Sequence, residues 1–216
     1  MSIILTVEAV LLTLVEGELE VALFKRDAEP FKGLWALPGG YVHEDKDDHA
    51  GAAAARVLKR KAGVVSPYLE EYGTFSGPGR DPRGWSLTVV YYALVPPSVL
   101  GGTVQRFPVG RLPALPFDHA QIIAGVVARV RNKAAYSSLP AFLCGDQFTV
   151  PELHAVYEAV LAQPLNLPNF RRKLDDLGIL EEVPGATKLG GRNRPAQLYR
   201  LKKQFRSALS VRERGL

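Results

Sequence analysis

The chain has 216 residues, of which 47% are hydrophobic and 23% are charged, and a net charge of +5, which is an ordinary composition for one large globular domain or two small ones. Its apolar runs are too short to span a bilayer and no signal peptide precedes them, so we expect a cytoplasmic protein with no membrane partner. Cys144 is the only cysteine, which excludes an internal disulfide and a cysteine-based zinc site.

The chain begins with a predicted β-hairpin that leads to a glycine turn. Residues 3–15 and 19–24 are rich in β-branched and aliphatic side chains and flank Glu16-Gly17-Glu18, which predicts two strands joined by a tight turn. Pro38-Gly39-Gly40 follows, and its glycines allow the backbone to approach a ligand closely.

Residues 50–61 form a predicted amphipathic helix. The i, i+3, i+4, i+7 spacing is followed by Ala50, Ala53, Ala54, Val57, Leu58 and Lys61, so the apolar members can pack on a sheet. Arg56 and Arg60, four residues apart, share a neighbouring face. These cations are either a solvated helix surface or contacts to an anionic ligand, because a guanidinium can neutralise phosphate without a metal.

The segment WALPGGYVHEDKDDHAGAAAARVLKRKAGV, from Trp35 to Val64, resembles the Nudix signature: Gly, five residues, Glu, seven residues, then Arg-Glu-apolar-x-Glu-Glu-x-Gly-apolar. In this alignment Arg56 takes the place of the signature arginine. The places of the three carboxylates that follow are taken by Val57, Arg60 and Lys61. In Nudix hydrolases these carboxylates hold Mg²⁺, which an apolar group and two cations cannot do.

The earlier half of the signature differs as well. Lys46 stands in the place of the first Glu, and the interval from Lys46 to Arg56 is two residues longer than the signature allows. Asp47 and Asp48 could substitute, but two carboxylates in a loop do not restore the helical set. We therefore predict a catalytically degenerate Nudix box without a metal site, in a protein that is not an enzyme and senses a ligand.

Residues 86–95 and 103–107 are predicted strands, so the first part of the chain is an α+β domain with a sheet packed against helices. Residues 118–132 have a helical pattern and either close this domain or lie at a dimer interface. Turn residues at 135–138 mark the boundary. The two predicted domains are therefore residues 1–135 and residues 136–216.

The second domain has the element order of a winged helix-turn-helix. Thr149 and Glu152 form a capping box that opens a helix, and a second predicted helix covers residues 167–177. Two short strands, 179–183 and 197–201, follow around a glycine-rich tip. Two helices and a β-ribbon in this order are typical of a DNA-binding module.

The second helix is the predicted DNA-reading element. One arc of it is predicted to face inward and carries Leu167, Phe170, Leu174 and Leu177. At about 100° per residue, Asn169 and Arg172 fall opposite that arc and suit base edges in the major groove, Asn for adenine and Arg for guanine. Arg171 and Lys173 on the flanks suit phosphates. The alternative is a solvated amphipathic helix without a nucleic-acid partner.

Charge and the ribbon tip favour double-stranded DNA as the partner. From Asn169 onward the chain carries 12 Lys and Arg against 5 Asp and Glu, so the basic charge is concentrated in this domain. Arg192 and Arg194 lie in the glycine-rich tip and suit a narrow minor groove. RNA recognition lacks the aromatic stacking platform that it usually needs.

Six segments together make the chain similar to the NrtR family of Nudix-related transcriptional regulators: EPFKGLWALPGGYV, RDPRGW, FDHA, FTVPELHAVYEAVL, NFRRKLDDLGIL and GGRNRPAQLYRL. The resemblance implies a Nudix-like α/β/α sandwich domain followed by a winged helix-turn-helix domain. It further implies a homodimer that binds an inverted-repeat operator and represses genes of NAD metabolism. ADP-ribose would be its releasing effector, with no cofactor.

The resemblance also assigns ligand contacts. Around the diphosphate and at the pocket mouth it places Arg26, Pro38, Gly39, Gly40, Arg56, Arg80, Asp81, Arg83 and His119. For His119, which follows Asp118 at a helix start, capping or packing is the alternative role. Three other functions remain open: a regulator of the same architecture that responds to a sugar such as arabinose, a Nudix pyrophosphohydrolase with an accessory nucleic-acid-binding domain, and a constitutive DNA-binding protein whose front domain only dimerises.

Overall fold

The computed structural model describes residues 3–66, 68–101, 103–189 and 195–211. The chain divides into two compact units, one of Met1–Thr13 with Leu19–Ala128 and the other of Leu14–Glu18 with Arg129–Leu216. Within the described ranges, no helix is long and apolar enough to cross a membrane.

Among the described residues, the first unit is built on a seven-stranded sheet. Its strands are β1 (Ile4–Val15), β2 (Glu18–Lys25), β3 (Trp35–Ala36), β4 (Gly39–Tyr41), β5 (Glu70–Gly77), β6 (Ser86–Leu94) and β7 (Val104–Pro108). The order is β3-β2-β1-β6-β5, with β4 paired to β1 and β7 paired to β2. β1 and β6 are parallel, whereas β3, β4, β5 and β7 are antiparallel to their partners.

The predicted hairpin is confirmed by β1 and β2. Glu16 and Gly17, which connect them, have φ of 50° and 81°. Tight hairpin turns with two positive φ values match the right-handed twist of the flanking strands. The predicted strands at 86–95 and 103–107 are likewise confirmed by β6 and β7.

Two helices accompany this sheet, α1 (Ala50–Ala62) and α2 (His119–Ala134). α1 confirms the predicted register, because its buried residues are Ala53, Ala54, Val57, Leu58 and Ala62. Val57 packs in a cluster with Val7 and Tyr91 from the sheet. Gly63 ends α1 in the left-handed conformation, with φ of 67°, and donates its backbone N–H to the carbonyl of Leu58.

The second unit contains α3 (Val150–Leu161), α4 (Leu167–Leu177) and, among its described residues, a three-stranded sheet. The strands are β8 (Phe148–Thr149), β9 (Leu180–Leu189) and β10 (Pro195–Leu201), in the order β8-β10-β9. The capping box of Thr149 and Glu152 is confirmed at the start of α3. Two helices and a β-ribbon confirm the predicted winged-helix order, although both ribbon strands are longer than the sequence predicted.

The inward arc of α4 differs from the prediction at its first position. Leu167 is 39% exposed, so its predicted place in the core was wrong. Leu165, in the turn before α4, packs against the core with Phe170 and Leu174 instead. Asn166 caps the helix by accepting a hydrogen bond from the backbone N–H of Asn169, and this cap turns Leu167 outward.

The division between the two compact units falls inside α2, between Ala128 and Arg129, whereas the predicted domain boundary lies after residue 135 and stays a prediction. The last turn of α2 groups with the winged-helix unit, and a side chain of α4 binds the carbonyls of Ala134 and Ala135 at its end, as described below.

Candidate functional site

A cavity of about 420 Å³ in the first unit collects most of the predicted ligand residues. Eight of the nine line it: Arg26, Gly39, Gly40, Arg56, Arg80, Asp81, Arg83 and His119. Pro38 lies beside the cavity, where its carbonyl accepts a hydrogen bond from Ala9 N–H at 2.8 Å. The structure therefore brings residues from distant parts of the chain together around one space.

The two glycines of the turn are required by packing against β1 and α1. A Cβ atom at Gly39 would lie 2.9 Å from Cγ of Glu8, and one at Gly40 would lie 3.2 Å from Cγ2 of Val57. Both distances are too short for comfortable contact. The glycines therefore let β4 lie against its neighbours, and this places the turn at the cavity wall.

Arg56 is held by Asp47. Its Nε and Nη2 atoms donate to the two carboxylate oxygens of Asp47 at 2.7 and 2.6 Å, and Nη2 also donates to the carbonyl of Tyr41 at 2.9 Å. The hydrogen bond from Arg56 lowers the pKa of Asp47 to about 2. Asp47 thus occupies the inserted segment of the Nudix-like box as the partner of the signature arginine. Arg56 therefore positions this loop, and its predicted contact with a ligand stays a prediction.

Arg80 and Arg83 also have carboxylate partners of their own. Arg80 donates to Asp118 at 2.8 and 2.9 Å, which joins the loop after β5 to the start of α2. Arg83 donates to Asp81 at 2.6 and 3.0 Å, and its Nη1 reaches the hydroxyl of Tyr41 at 2.6 Å. These two arginines line the cavity, but each already has an anion to neutralise it.

His119 is a buried connecting residue at the start of α2, only 2% exposed. Its Nδ1 accepts a hydrogen bond from the backbone N–H of Leu37 at 3.1 Å, which leaves the ring proton of a neutral imidazole on Nε2. Nε2 lies 3.2 Å from Oε1 of Glu8 and donates to it. His119 therefore fixes Glu8 and the segment before the glycine turn, which is the packing alternative considered for it.

Arg26, at the end of β2, is half-buried and carries no ion pair among the described residues. It donates to the carbonyls of Pro30 and Ala28 at 2.8 and 3.3 Å, and its guanidinium lies 5.1 Å from the ring centroid of Phe117. Burial lowers the pKa of Arg26 below its ordinary value. Arg26 is therefore a cation that carbonyl oxygens and an aromatic ring orient at the cavity.

The donor set at the signature positions does not fit the Mg²⁺ ion that Nudix hydrolases use. Val57 is fully buried in the core, and Arg60 and Lys61 line the cavity as cations. Across the described part of the chain, no group of three or more His, Cys, Asp or Glu residues could hold a metal ion. Mg²⁺ requires oxygen ligands, which these positions do not supply.

In the second unit, the amino-terminal half of α4 presents its predicted DNA contacts to solvent. Asn169, Arg171 and Arg172 are all exposed. Nη2 of Arg172 donates to Oδ1 of Asn169 at 3.2 Å, so these two side chains form a paired polar surface one turn long. Arg192 and Arg194, the predicted minor-groove contacts, lie outside the described residues.

Lys173 does not belong to this surface, so its predicted role in binding phosphates was wrong. It is 1% exposed, and its Nζ donates to the carbonyls of Ala134 and Ala135 at 2.6 and 3.1 Å and lies 4.3 Å from the ring centroid of Tyr157. A buried ammonium group is tolerated only with such partners. The two backbone carbonyls that accept from its ammonium group therefore explain a lysine in the core of a small unit.

The fold and the two surfaces define a Nudix-like domain joined to a winged-helix domain. Residues 5–123 match the NUDIX domain family, and residues 140–201 match the family described as NrtR DNA-binding winged helix domain. The chain is 37% identical over 205 residues to the "ADPR responsive transcriptional repressor NtrR" of Acinetobacter baylyi, covering 91% of this chain and 81% of that protein. It belongs to the NrtR family of Nudix-related transcriptional regulators.

Solved structures show the same likeness. The structure of Shewanella oneidensis NrtR complexed with a 27mer DNA is 37% identical, with a TM-score of 0.89 over 98% of this chain and 99% of that chain. The NUDIX domain of the same protein, complexed with ADP ribose, is 38% identical with a TM-score of 0.56 over 60% of this chain and 89% of that chain.

The first unit is also similar in sequence to an enzyme. A Methanocaldococcus jannaschii ADP-ribose pyrophosphatase is 33% identical over 119 residues, covering 51% of this chain and 67% of that protein.

Proposed function

We propose that this protein is a transcriptional repressor that binds operator DNA through α4 and is released when ADP-ribose occupies the cavity. The observation that carries the proposal is the pairing, in one chain, of a cation-lined cavity with the exposed Asn169 and Arg172 surface of a winged helix. The proposal is supported by similarity over nearly the whole chain to a protein crystallised with DNA.

ADP-ribose is the proposed effector because the cavity combines cations for a diphosphate with acceptors for sugar hydroxyls. Glu8, which lies 8% exposed at the cavity wall, has an Oε2 atom without a hydrogen-bond partner in the described structure, 3.6 Å from Nη2 of Arg80. A carboxylate oxygen in that setting accepts hydrogen bonds from hydroxyl groups. The similarity to a NUDIX domain complexed with ADP ribose gives independent support.

The proposed repressor is not a hydrolase. Cleavage of a diphosphate in the Nudix manner needs a metal that activates water and neutralises the phosphate oxygens. Val57, Arg60 and Lys61 provide no ligands for that metal. One observation supports the alternative of a pyrophosphohydrolase with an accessory DNA-binding domain. This observation is the similarity of the first unit to an ADP-ribose pyrophosphatase.

Further parts of the proposal concern the operator DNA, the regulated genes and the place where the protein acts. A two-fold dimer would place two α4 helices in successive major grooves, so the operator is an inverted repeat with half-sites roughly one helical turn or a multiple apart. Arg192 and Arg194 would enter the flanking minor grooves, and Arg194→Ala would cost most where those flanks are A·T-rich. The regulated genes belong to NAD metabolism, and the protein acts in the cytoplasm.

In buffer containing EDTA, the protein should bind the DNA upstream of its own gene, and this binding should be lost when ADP-ribose is added. The measurement is fluorescence anisotropy of the labelled DNA, with a melting curve of the protein alone in parallel. Ligand at 100 times its dissociation constant should stabilise the protein by about 2.7 kcal/mol through mass action.

Three results would contradict this proposal in different ways. A melting shift with a free pentose and none with any adenine nucleotide would identify a sugar-responsive regulator. Steady Mg²⁺-dependent release of AMP from ADP-ribose would establish the hydrolase alternative. DNA binding that no ligand changes would leave a constitutive DNA-binding protein.

A further inference from the structure

The cations of the cavity fall into two groups according to whether the protein itself neutralises them. The first group is fully paired, since Arg56, Arg80 and Arg83 each donate two hydrogen bonds to a carboxylate. The second group has no ion pair among the described residues and consists of Arg26, Arg60 and Lys61. Carboxylates do lie near this second group, since Asp81, Asp27 and Glu29 act on Arg26 and Asp27 acts on Lys61. A bound anion would nevertheless supply the first direct ion pair of these cations among the described residues.

The unpaired cations lie on two neighbouring elements. Arg26 ends β2, and Arg60 and Lys61 form part of the last turn of α1. Nζ of Lys61 lies 3.7 Å from the ring centroid of Phe24, also on β2. Burial lowers the pKa of Lys61, and the nearby charges of Arg60 and Arg26 lower it further. Three positive groups thus converge at one part of the cavity wall.

Leaving these cations unpaired has a cost that a ligand would remove. Burial lowers the pKa of both Arg26 and Lys61, which means that the folded protein holds their charged forms in a poorly solvated place. Such a charge is costly unless an opposite charge approaches it. A diphosphate brings two negative charges and several acceptor oxygens, and so matches the three cations in charge and in hydrogen-bonding chemistry.

Arg60 and Lys61 also occupy the signature positions whose carboxylates hold Mg²⁺ in Nudix hydrolases. In a hydrolase, positive charge reaches the phosphate oxygens through the metal, and here it is presented by the side chains themselves. We propose that Arg26, Arg60 and Lys61 form a metal-independent subsite for the diphosphate of a nucleoside diphosphate sugar. This inference rests on the proposed effector function and assigns the diphosphate to residues other than Arg56, Arg80 and Arg83.

The test compares the double variant Arg60→Gln with Lys61→Gln against the control Lys59→Gln. Lys59 lies on the same turn of α1, carries the same charge and is exposed outside the cavity. Affinity for ADP-ribose and for inorganic pyrophosphate is measured by calorimetry in EDTA. The double variant should bind both probes roughly 100-fold more weakly, whereas the control should stay within about twofold of the unmodified protein.

Melting curves without ligand and binding to operator DNA establish that each variant is folded. The single variant Arg60→Gln, which changes an exposed residue, gives a second measurement of the loss of affinity. Unchanged affinity in the folded double variant would overturn the inference, as would binding by the unmodified protein that requires Mg²⁺. If the unmodified protein binds pyrophosphate through these residues but ignores ADP-ribose, the subsite stands and the proposed effector is wrong.

The pH dependence of binding provides another prediction. Burial lowers the pKa of Lys61 to about 8; the groups that face it are Arg60, Arg26, Asp27 and the ring of Phe24. Above that pKa the free protein has lost the ammonium charge that a phosphate stabilises. ADP-ribose affinity should therefore fall with rising pH, by up to about tenfold per unit above pH 8.

The matched variant is Lys61→Arg, because a guanidinium remains charged throughout this range. It should remove most of the decline in affinity between about pH 8 and about pH 9.5, titrated by calorimetry in EDTA. An affinity that does not change with pH in the unmodified protein would show that the ammonium of Lys61 does not contact the ligand.

Discussion

Replacing Lys173 with alanine should lower the free energy of unfolding of the winged-helix unit by about 3 kcal/mol. The substitution removes the donor to the carbonyls of Ala134 and Ala135, which then lack these hydrogen bonds in a buried place, and it removes the contact with Tyr157. Urea unfolding followed by circular dichroism measures the loss as a lower midpoint.

Arg171→Ala is the control for Lys173, since it removes a cation from the same helix at an exposed position and should leave the midpoint nearly unchanged. Lys173→Met, which keeps most of the side-chain volume, separates lost packing from lost hydrogen bonds and should still destabilise the unit. The burial argument would be contradicted if the Lys173→Ala protein had the same unfolding midpoint as the unmodified protein but bound DNA with a weaker salt dependence. That result would show that Lys173 contacts a phosphate.

Arg172→Ala should weaken operator binding by about 1–3 kcal/mol and relax the preference at one base pair. Arg172 is exposed on α4, and its hydrogen bond to Asn169 presents the two side chains as one surface. A guanidinium that reads guanine through two hydrogen bonds contributes discrimination as well as affinity. The measurement is a binding titration on operator DNA and on a series with single base-pair changes.

Arg171→Ala is again the matched comparison, because it removes the same charge one residue away. If Arg171 contacts a phosphate, its loss weakens binding to every sequence alike and flattens the dependence on salt, since counterion release carries no base information. The assignment of α4 as the reading helix would be wrong if both variants kept the affinity and the specificity of the unmodified protein at two salt concentrations.

Local signals made much of the fold predictable from the sequence. The hairpin around Gly17, the apolar stripe of α1 and the capping box at Thr149 each depend on residues within one or two turns of each other. One prediction made from local spacing was nevertheless wrong. Leu167 was assigned to the core by its spacing alone, but the cap at Asn166 turns it outward.

The site shows a different limit, which is set by partners far along the chain. The resemblance predicts nine ligand contacts, and eight of these residues surround one cavity. Which of its cations are already neutralised could not be predicted, because the partner of Arg80 is 38 residues further along the chain. The prediction that Lys173 binds phosphate was wrong for a related reason. A charged residue is expected to face solvent, but the acceptors of its ammonium group lie at the end of another helix.

The carbonyls that Lys173 binds also determine at which residue an isolated DNA-binding fragment can begin. A fragment beginning at residue 136 would discard Ala134 and Ala135 and leave the buried ammonium of Lys173 without these two acceptors. A chimaera or an isolated DNA-binding fragment should therefore keep the last turn of α2, from Arg129 onward. For anyone transplanting this DNA-binding module onto another sensor, the transferable piece includes that turn.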